Sequence, residues 1–321
     1  LLLVAEQGRE WGWGSTNAII CYVIGVVAAI GFFWQEHRMG EEAILPLAMF
    51  RNKTVGVSSI ASVLIGVAMF GGLAALPLYL QIVKGATPTE AGLLLLPMTL
   101  GIMIGSILSG QIISRTGRYR VFPIVGSALL TISLFIFHYV AYDTPLWQTM
   151  IVMTMFGVGL GFNFQPLTLA VQNAVPPQQI GVATSTATFT RQIGGTLGTA
   201  VFLSILFSTA SEKITTALAA AVPTQEFQAA LADPANAAVA EQFAAAQSGG
   251  GAATSVLSDS SFLTGLDERL AKPFLIGFSE AMDLVFLTGS AVMVIGFLVM
   301  LMLPNVELRK SSGYSERSIA E

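Results

Sequence analysis

Charged residues are scarce in this chain: Asp, Glu, Lys and Arg together make up only 11% of its 321 residues. Soluble domains carry about a quarter of such residues, so this chain lacks the charge to cover a water-exposed surface. Hydrophobic residues account for 54% of the sequence, and the mean hydropathy is +0.72. Lipid must therefore be the solvent for much of the chain. The net charge of -4 is small and gives no indication of a nucleic-acid partner.

Cysteine and histidine are nearly absent as well, with one Cys and two His. The single Cys21 excludes an internal disulfide and a cysteine-based metal cluster. A membrane-embedded enzyme, such as an acyltransferase, would need His, Asp or Glu clustered at one membrane depth, and no such cluster can be drawn. The sequence predicts no catalytic residue, metal or cofactor. It also shows no repeated ring of pore-lining residues, which a channel would need.

Seven stretches are long and apolar enough to cross a membrane, for which a helix needs about 20 residues. Isolated strands are excluded because lipid leaves their backbone groups unpaired. The stretches are 18–34, 56–80, 91–113, 121–141, 147–170, 182–207 and 282–303. The apolar run at 1–5 is interpreted as the end of an earlier span, so we expect a part of a longer protein. The predicted fold is an all-α integral membrane bundle.

Lys and Arg are distributed unevenly between alternate short connections, and this bias predicts the orientation. The connections 35–53, 114–120 and 304–321 hold nine of them, against two in the opposite set. The first set is therefore expected in the cytoplasm. The nine are Arg38, Arg51, Lys53, Arg115, Arg118, Arg120, Arg309, Lys310 and Arg317, and the two are Arg9 and Lys84.

The connection 208–280 is unusually long, polar and rich in alanine, and the charge bias places it outside the cell. Pro223, Pro234 and three glycines from Gly249 interrupt it. Alanine runs such as 235–246 predict short amphipathic helices, while a flexible linker is the alternative.

The connection around 110–120 carries the most informative motif. Its glycines permit a tight reversal, and its arginines can bind helix carbonyl ends or acidic groups of a partner domain. A loop that merely follows the positive-inside bias is the simpler alternative. The motif resembles the cytoplasmic glycine–arginine loop of the major facilitator superfamily, although Ser114 replaces the family's Asp. The matching residues are Gly110, Arg115, Gly117, Arg118 and, one place late, Arg120.

Three further stretches resemble the fourteen-helix drug:proton antiporters of the EmrB/QacA type within that superfamily. They are the segments 76–97, 181–198 and 303–309, and they occur in the order that the resemblance requires. Such antiporters have two six-helix bundles with an additional hairpin between them. The resemblance implies that this chain is the C-terminal part, and that the N-terminal bundle is missing.

The resemblance also divides the chain. Residues 1–55 would hold the end of an upstream span, a linker-hairpin helix and a cytoplasmic loop. Residues 56–207 would form five transmembrane helices of the C-terminal bundle, followed by the extracytoplasmic loop 208–280. The last helix would be 281–303, with a cytoplasmic tail at 304–321.

Small residues spaced four apart predict faces where helix backbones approach closely in lipid. The resemblance suggests that two of these faces slide against the missing bundle during alternating access. Static packing inside this bundle is the alternative. The glycines concerned are Gly101 with Gly105, Gly157 with Gly161, and Gly194 with Gly198.

Polar groups inside a span are costly and often functional. The resemblance makes the fifth span and the 56–80 span line the cavity, so their polar and aromatic residues are candidate substrate contacts. Hydrogen bonding or packing within the bundle is the alternative for each. The candidates are Asn163, Gln165, Phe162, Tyr79 and Gln81.

Arg191 is the only basic residue well inside a span, about 15 Å along the helix from Gly181. Its guanidinium either snorkels to the cytoplasmic interface or pairs with a carboxylate of the missing bundle. Glu90, Glu280 and Asp283 stand at span ends. A coupling carboxylate is therefore expected in the missing half.

The function implied by the resemblance is secondary active efflux of drugs or small amphipathic compounds across the cell membrane, in exchange for protons. The partners would be that substrate, protons, the lipid bilayer and the N-terminal bundle. A dedicated exporter of one native metabolite or lipid is the alternative.

Overall fold

The computed structural model describes residues 14–39, 47–233, 236 and 266–305, and these form helices and turns without strands. The α-helices are α1 (Thr16–Met39), α2 (Lys53–Ile82), α3 (Pro88–Leu94), α4 (Leu96–Thr116), α5 (Val121–Phe137), α6 (Leu146–Asn173), α7 (Ile180–Ala221), α8 (Gln225–Leu231) and α9 (Glu268–Leu301). Short 3-10 helices occupy Leu47–Arg51 and Pro177–Gln179. The segment 1–5, the tail from 306, and 235–246 apart from Asn236 lie outside the described residues.

Each of the seven predicted stretches falls on a helix, and the predicted all-α membrane fold is confirmed. In the described ranges, six helical segments are long and apolar enough to cross a membrane, with α3 and α4 together forming one of them. The seventh stretch corresponds to α5, a shorter apolar helix of 17 residues.

Helices α2, α4, α5, α6, α7 and α9 form a bundle. α2 packs on α7 and α9, α4 packs on α6, α5 packs on α6 and α9, and α9 packs on α7. We call the end with the 117–120 turn the arginine end, and the end where Lys84 follows α2 the Lys84 end. α1 stands largely apart from the bundle and touches α7 through Phe32 and Phe189, whose ring centroids are 6.2 Å apart.

Local sequence explains where these helices begin and end. Asn52 caps α2 by accepting a hydrogen bond from the Thr54 amide. A reciprocal capping box of Thr87 and Glu90 starts α3. Gly117 ends α4 with a positive φ of 70°, a left-handed conformation that glycine adopts without steric cost.

Helices α7 and α9 are far longer than the spans predicted at 182–207 and 282–303. With 42 and 34 residues they measure about 63 and 51 Å, against a hydrocarbon core of about 30 Å. The hydropathy of α7 falls at Ser208, where the predicted span ends, but its buried residues keep helical spacing. These are Leu206, Ala210, Ile214 and Leu218, and they pack in one core with Leu270, Phe274 and Phe278 of α9. The connection is thus helical at both ends.

At both ends of the bundle, side chains donate hydrogen bonds to backbone carbonyls of distant segments. At the Lys84 end, Lys84 Nζ donates to the carbonyls of Tyr142 and Thr144, each at 2.7 Å, and burial lowers the pKa of Lys84. At the arginine end, Arg120 donates to the Leu301 carbonyl at 2.8 Å. Tyr119 donates to the Pro304 carbonyl at 3.2 Å. These bonds join distant segments, so the bundle behaves as one packed unit.

Helices α2 and α7 approach so closely that three glycines face backbone atoms of the other helix. A Cβ atom at any of them would overlap a carbonyl oxygen of the partner helix. Close backbone approach of this kind is how helices associate in lipid. Each glycine and the residue whose carbonyl it faces are Gly66 and Arg191, Gly194 and Val63, and Gly198 and Val67.

Helices α6 and α4 repeat this contact in the same register. Their pairs are Gly157 and Met98, Gly101 and Thr154, and Gly105 and Val158, with the same sequence spacing as in the first set. α2 therefore corresponds to α6, and α7 corresponds to α4. Since α2 runs away from the arginine end and α6 runs toward it, the two halves are inverted repeats.

Candidate functional site

The structure places Asn163, one of the predicted pathway residues, in the packing between helices. It is fully buried, and its amide donates to the Gly159 carbonyl of its own helix at 2.7 Å. Its side chain packs against Gly126 of α5. The buried carbonyl oxygen of this amide has no hydrogen-bond partner in the described structure. Asn163 therefore belongs to the α5–α6 packing.

Tyr79 and Phe162 also point into the bundle. Tyr79 is 1% exposed, and its hydroxyl donates to the Ala141 carbonyl at 3.3 Å, which ties α2 to the α5–α6 connection. The Phe162 ring packs edge-on against Phe122, with centroids 5.5 Å apart. Gln81, near the end of α2, is half-buried. Packing between helices, the alternative raised above, describes Tyr79 and Phe162.

Gln165 is different, because it is exposed on α6. Exposed polar residues also recur on one face of α7 at helical spacing, namely Ser185, Thr188 and Gln192. The Thr188 hydroxyl donates to the Thr184 carbonyl of its own helix at 3.0 Å, but lipid contact inside the apolar span would leave the side-chain amide of Gln192 unsatisfied. This face therefore requires water or another protein segment beside it.

Arg191 lies between Thr188 and the glycine contact of α7. Its carbonyl packs against Gly66 of α2, and its guanidinium carbon is 4.9 Å from the ring centroid of Phe164 on α6. Phe164 lies nine residues, or about 14 Å, before the end of α6. The guanidinium is thus held inside the span by a cation–π contact.

Phe70 lies beside this cluster, and no sequence pattern singles it out. Its ring lies against Gly195, one turn beyond Arg191 on α7. Two aromatic rings from α2 and α6 therefore border the same stretch of α7. Only the packing of three helices reveals this, although the absence of a side chain at Gly195 is a hint of a close neighbour.

The glycine faces of α4 and α7 pack inside this bundle. Gly101 and Gly105 meet α6, and Gly194 and Gly198 meet α2, so the contacts of these four glycines in the structure are with helices of the same bundle. Gly157 and Gly161 supply the matching face of α6. Static packing, the alternative interpretation, accounts for all six positions because the contacts are between backbones.

The 110–120 motif forms the turn at the arginine end. Arg115 and Arg118 are exposed, whereas Arg120 reaches the end of α9. Gly110 has no neighbour within 4 Å of an added Cβ. The exposed arginines are available to another segment, and the turn geometry itself depends on Gly117.

Ionisable groups elsewhere form short-range pairs near the Lys84 end. Arg269 donates two hydrogen bonds to Asp267, at 3.0 and 2.7 Å, and these hold the pKa of Asp267 well below its usual value. Lys213 and Glu280 form an exposed ion pair between α7 and α9 at 3.2 Å. Among the residues that the structure describes, no group of three His, Cys, Asp or Glu could hold a metal ion.

A family model described as Major Facilitator Superfamily matches residues 8–199 of this sequence. The chain belongs to the major facilitator superfamily. The inverted repeat, the glycine–arginine turn and the apolar helices are the features of this chain that agree with membership. It is therefore a multi-pass membrane transporter protein, as the resemblance implied.

Curated relatives within the superfamily extend over most of the chain. A tetracycline resistance determinant of Streptomyces rimosus is 36% identical over 324 residues, covering 100% of this chain and 91% of the relative. An uncharacterized transporter of this superfamily from Mycobacterium tuberculosis is 33% identical over 310 residues, covering 96% of the chain but 40% of the relative. The chain thus spans about two fifths of that relative's length.

A third relative, an Aspergillus aculeatus transporter named for an acurin A biosynthesis cluster, is 29% identical over 189 residues. This match covers 59% of the chain and 34% of the relative. Other relatives are named as efflux pumps or as a multidrug transporter. The superfamily assignment made from the sequence is confirmed, and the assignment to the fourteen-helix branch stays a prediction.

Proposed function

We propose that this chain is the C-terminal bundle of a fourteen-helix antiporter that exports drugs or other small amphipathic compounds across the cell membrane. The observation that carries the proposal is the polar face of α7, with Arg191, on the outside of a closed six-helix bundle. Such a face needs a second bundle and a water-filled pathway between the two. Relatives named for drug resistance and efflux support export as the direction of transport.

The second bundle would be the N-terminal part of the same protein. The mycobacterial relative is long enough for this, since the chain covers 40% of it. Proton coupling would use a carboxylate in that part, because the acidic residues of the described bundle helices lie toward the Lys84 end. These are Glu212, Glu268, Glu280 and Asp283, and Glu90 of the short helix α3 lies at the same end.

Export is tested with the full-length protein in a bacterial strain that lacks its own efflux pumps. Accumulation of tetracycline and of ethidium is measured, with and without a protonophore. We expect lower accumulation than in cells carrying the Gly194→Leu variant, and loss of that difference when the proton gradient collapses. Equal accumulation of both compounds in the two strains, at matched protein levels, would overturn drug export.

Export of one native compound is the second candidate, and the relative named for a biosynthesis cluster favours it. It predicts that tetracycline and ethidium accumulate as they do in cells carrying the Gly194→Leu variant. It also predicts that host cells from which the gene is deleted retain one endogenous metabolite. Comparison of intracellular metabolites between deletion and complemented strains separates this candidate from multidrug export.

The proposed orientation has the arginine end in the cytoplasm. After Cys21→Ser, a single cysteine is placed at Lys272 or at Thr116, both of which are exposed. A membrane-impermeant maleimide added to intact cells should label Lys272→Cys and should label Thr116→Cys only after lysis. The reverse pattern would invert the topology.

A further inference from the structure

The inverted repeat allows Arg191 to be compared with a residue in the same structural position of the other half. Arg191 precedes Gly194 by three residues and places its carbonyl on Gly66. Met98 precedes Gly101 by three residues and places its carbonyl on Gly157. Met98 is 2% exposed, as expected for a packing residue, whereas Arg191 is only half-buried. Packing alone therefore does not require an arginine at this position.

The guanidinium of Arg191 lies over the Phe164 ring but has no anionic partner within the described residues. There, no carboxylate forms an ion pair with it and no oxygen accepts its hydrogen bonds. An arginine carries five N–H donors and remains charged, so an unmatched one at this depth is costly. Its incomplete burial leaves these donors accessible from the polar face of α7.

The surroundings of Arg191 indicate the kind of anion that fits. Phe164 from α6 supplies an apolar ring beside the cation, and Phe70 from α2 lies against Gly195, one turn further along α7. Gln192, exposed next to it on α7, supplies an amide that can donate hydrogen bonds, whereas the Thr188 hydroxyl already donates to the Thr184 carbonyl. Aromatic rings stack on flat apolar surfaces, and a guanidinium binds a carboxylate through two parallel hydrogen bonds. A flat aromatic acid satisfies both requirements.

We infer that Arg191, Phe164 and Phe70 form a binding site for the anionic group and adjoining ring of aromatic acid substrates. The inference rests on the proposed export function and specifies its substrate class. Arg191 binds the carboxylate, and the two phenylalanines contact the ring. A carboxylate of the N-terminal bundle shares the same chemistry and would occupy the guanidinium in its place, so the test must separate the two sources.

The test uses the full-length protein, purified in lipid nanodiscs, and two probes that differ only in charge. These are 2-naphthoate, an anion, and 2-naphthamide, its neutral analogue, with binding measured by calorimetry. We expect the wild-type protein to bind naphthoate at least about tenfold more tightly than naphthamide, because hydrogen bonds to a charged group are lost with the amide. Arg191→Gln should abolish this preference while leaving naphthamide binding unchanged.

Two further variants distinguish binding from folding. Arg191→Lys keeps the charge and should retain a preference for naphthoate, reduced because lysine lacks the two-point geometry. Phe164→Leu should weaken the binding of both probes to a similar extent. Arg38→Gln removes an exposed arginine that stacks on Trp34 of α1, and it should bind both probes as the wild type does.

A wild-type protein that binds neither probe, or binds both equally, would overturn the inference. In that case a transport defect of Arg191→Ala with its pH optimum moved upward would point to a carboxylate of the protein, whose pKa rises without the cation. Loss of the charge preference in Arg38→Gln as well would contradict a local site. Binding is measured without transport, so failure here leaves the drug-export assay independent.

Discussion

The pairs α2–α7 and α4–α6 have the same backbone contact but different side chains around it. Three glycine-to-carbonyl contacts recur in identical register in both pairs. In the first pair, Arg191 occupies the position that Met98 occupies in the second. In the α2–α7 pair, Phe70 of α2 packs against Gly195 of α7. At the corresponding positions of the α4–α6 pair, the glycine is on the other helix: Gly161 of α6 packs against Ile102 of α4. The shared glycine contacts hold the helices together, and the differing side chains around them indicate where the two halves have distinct roles.

The comparison assigns roles that polarity alone does not assign. Asn163 on α6 is polar, yet its contacts are those of a packing residue, and the corresponding position of α2 is Gly72. Arg191 has a partner ring but unengaged donors, which a packing residue would not have. Accessibility on the α7 face, rather than position within the span, separates the candidate site from the scaffold.

The largest effect is expected when the shared scaffold is disturbed. Gly105→Leu and Gly198→Leu each force a side chain against a backbone carbonyl, so both should destabilise the full-length protein by about 3 kcal/mol or more. Thermal unfolding in detergent measures this. Gly289→Leu should cost less, because the nearest neighbour is the side-chain ring of Phe202 and not a backbone carbonyl. A large loss in only one of the two halves would break the equivalence of the pairs.

A second prediction contrasts Arg191→Ala with Met98→Ala. Arg191→Ala should lower the transport rate about tenfold at normal protein levels, because a charged contact in the pathway is lost. Met98→Ala should leave the rate per folded molecule near wild type and lower thermal stability instead, by about 2 to 5 kcal/mol. Equal losses of transport rate would show that both halves use this position in the same way.

Lys84 differs from its counterpart Val175, the corresponding residue after α6, and this provides a third test. Lys84→Met removes two hydrogen bonds to carbonyls of the α5–α6 connection, and should reduce stability by about 1 to 3 kcal/mol. Protection of the amides at 138–144 in hydrogen exchange should fall. Unchanged protection would mean that the connection is held by its other contacts, including the Tyr79 hydroxyl.

The smallest effect is expected at Asn163. Its carbonyl oxygen is already unpartnered, so Asn163→Leu should change the free energy of unfolding by less than about 1 kcal/mol and keep the transport rate. Gln165 lies two residues further along the same helix and is exposed, so Gln165→Leu should alter the affinity for the substrate. A strong transport defect for Asn163→Leu alone would restore it as a pathway residue.

Much of the fold follows from the sequence because apolar length and small-residue spacing are local properties. The spans and the close-packing faces at Gly101, Gly157 and Gly194 were identified in this way. The partner of each face was not, since small residues four apart allow approach by any helix. The full length of α7 was missed because hydropathy falls at Ser208 while the buried spacing through Leu218 continues.

The candidate site was predictable only in part. Arg191 and Gln165 stand out in the sequence as polar residues within spans. The ring partner of Arg191 could not be assigned, because Phe164 is distant in sequence and only helix packing brings it close. The burial of Asn163 against α5 could not be predicted, because the orientation of a side chain around α6 depends on where α5 lies, which periodicity does not specify.

Cysteine accessibility tests most directly the central claim that the pathway lies along the polar face of α7 and the exposed Gln165 of α6. In the full-length Cys21→Ser protein, single cysteines replace Gln165, Gln192, Asn163 or Ala68, and a charged methanethiosulfonate reagent is added to membrane vesicles. The account predicts rapid modification at Gln165 and Gln192, and none at the buried Asn163 and Ala68. Modification of Asn163→Cys with Gln165→Cys and Gln192→Cys unreactive would contradict it.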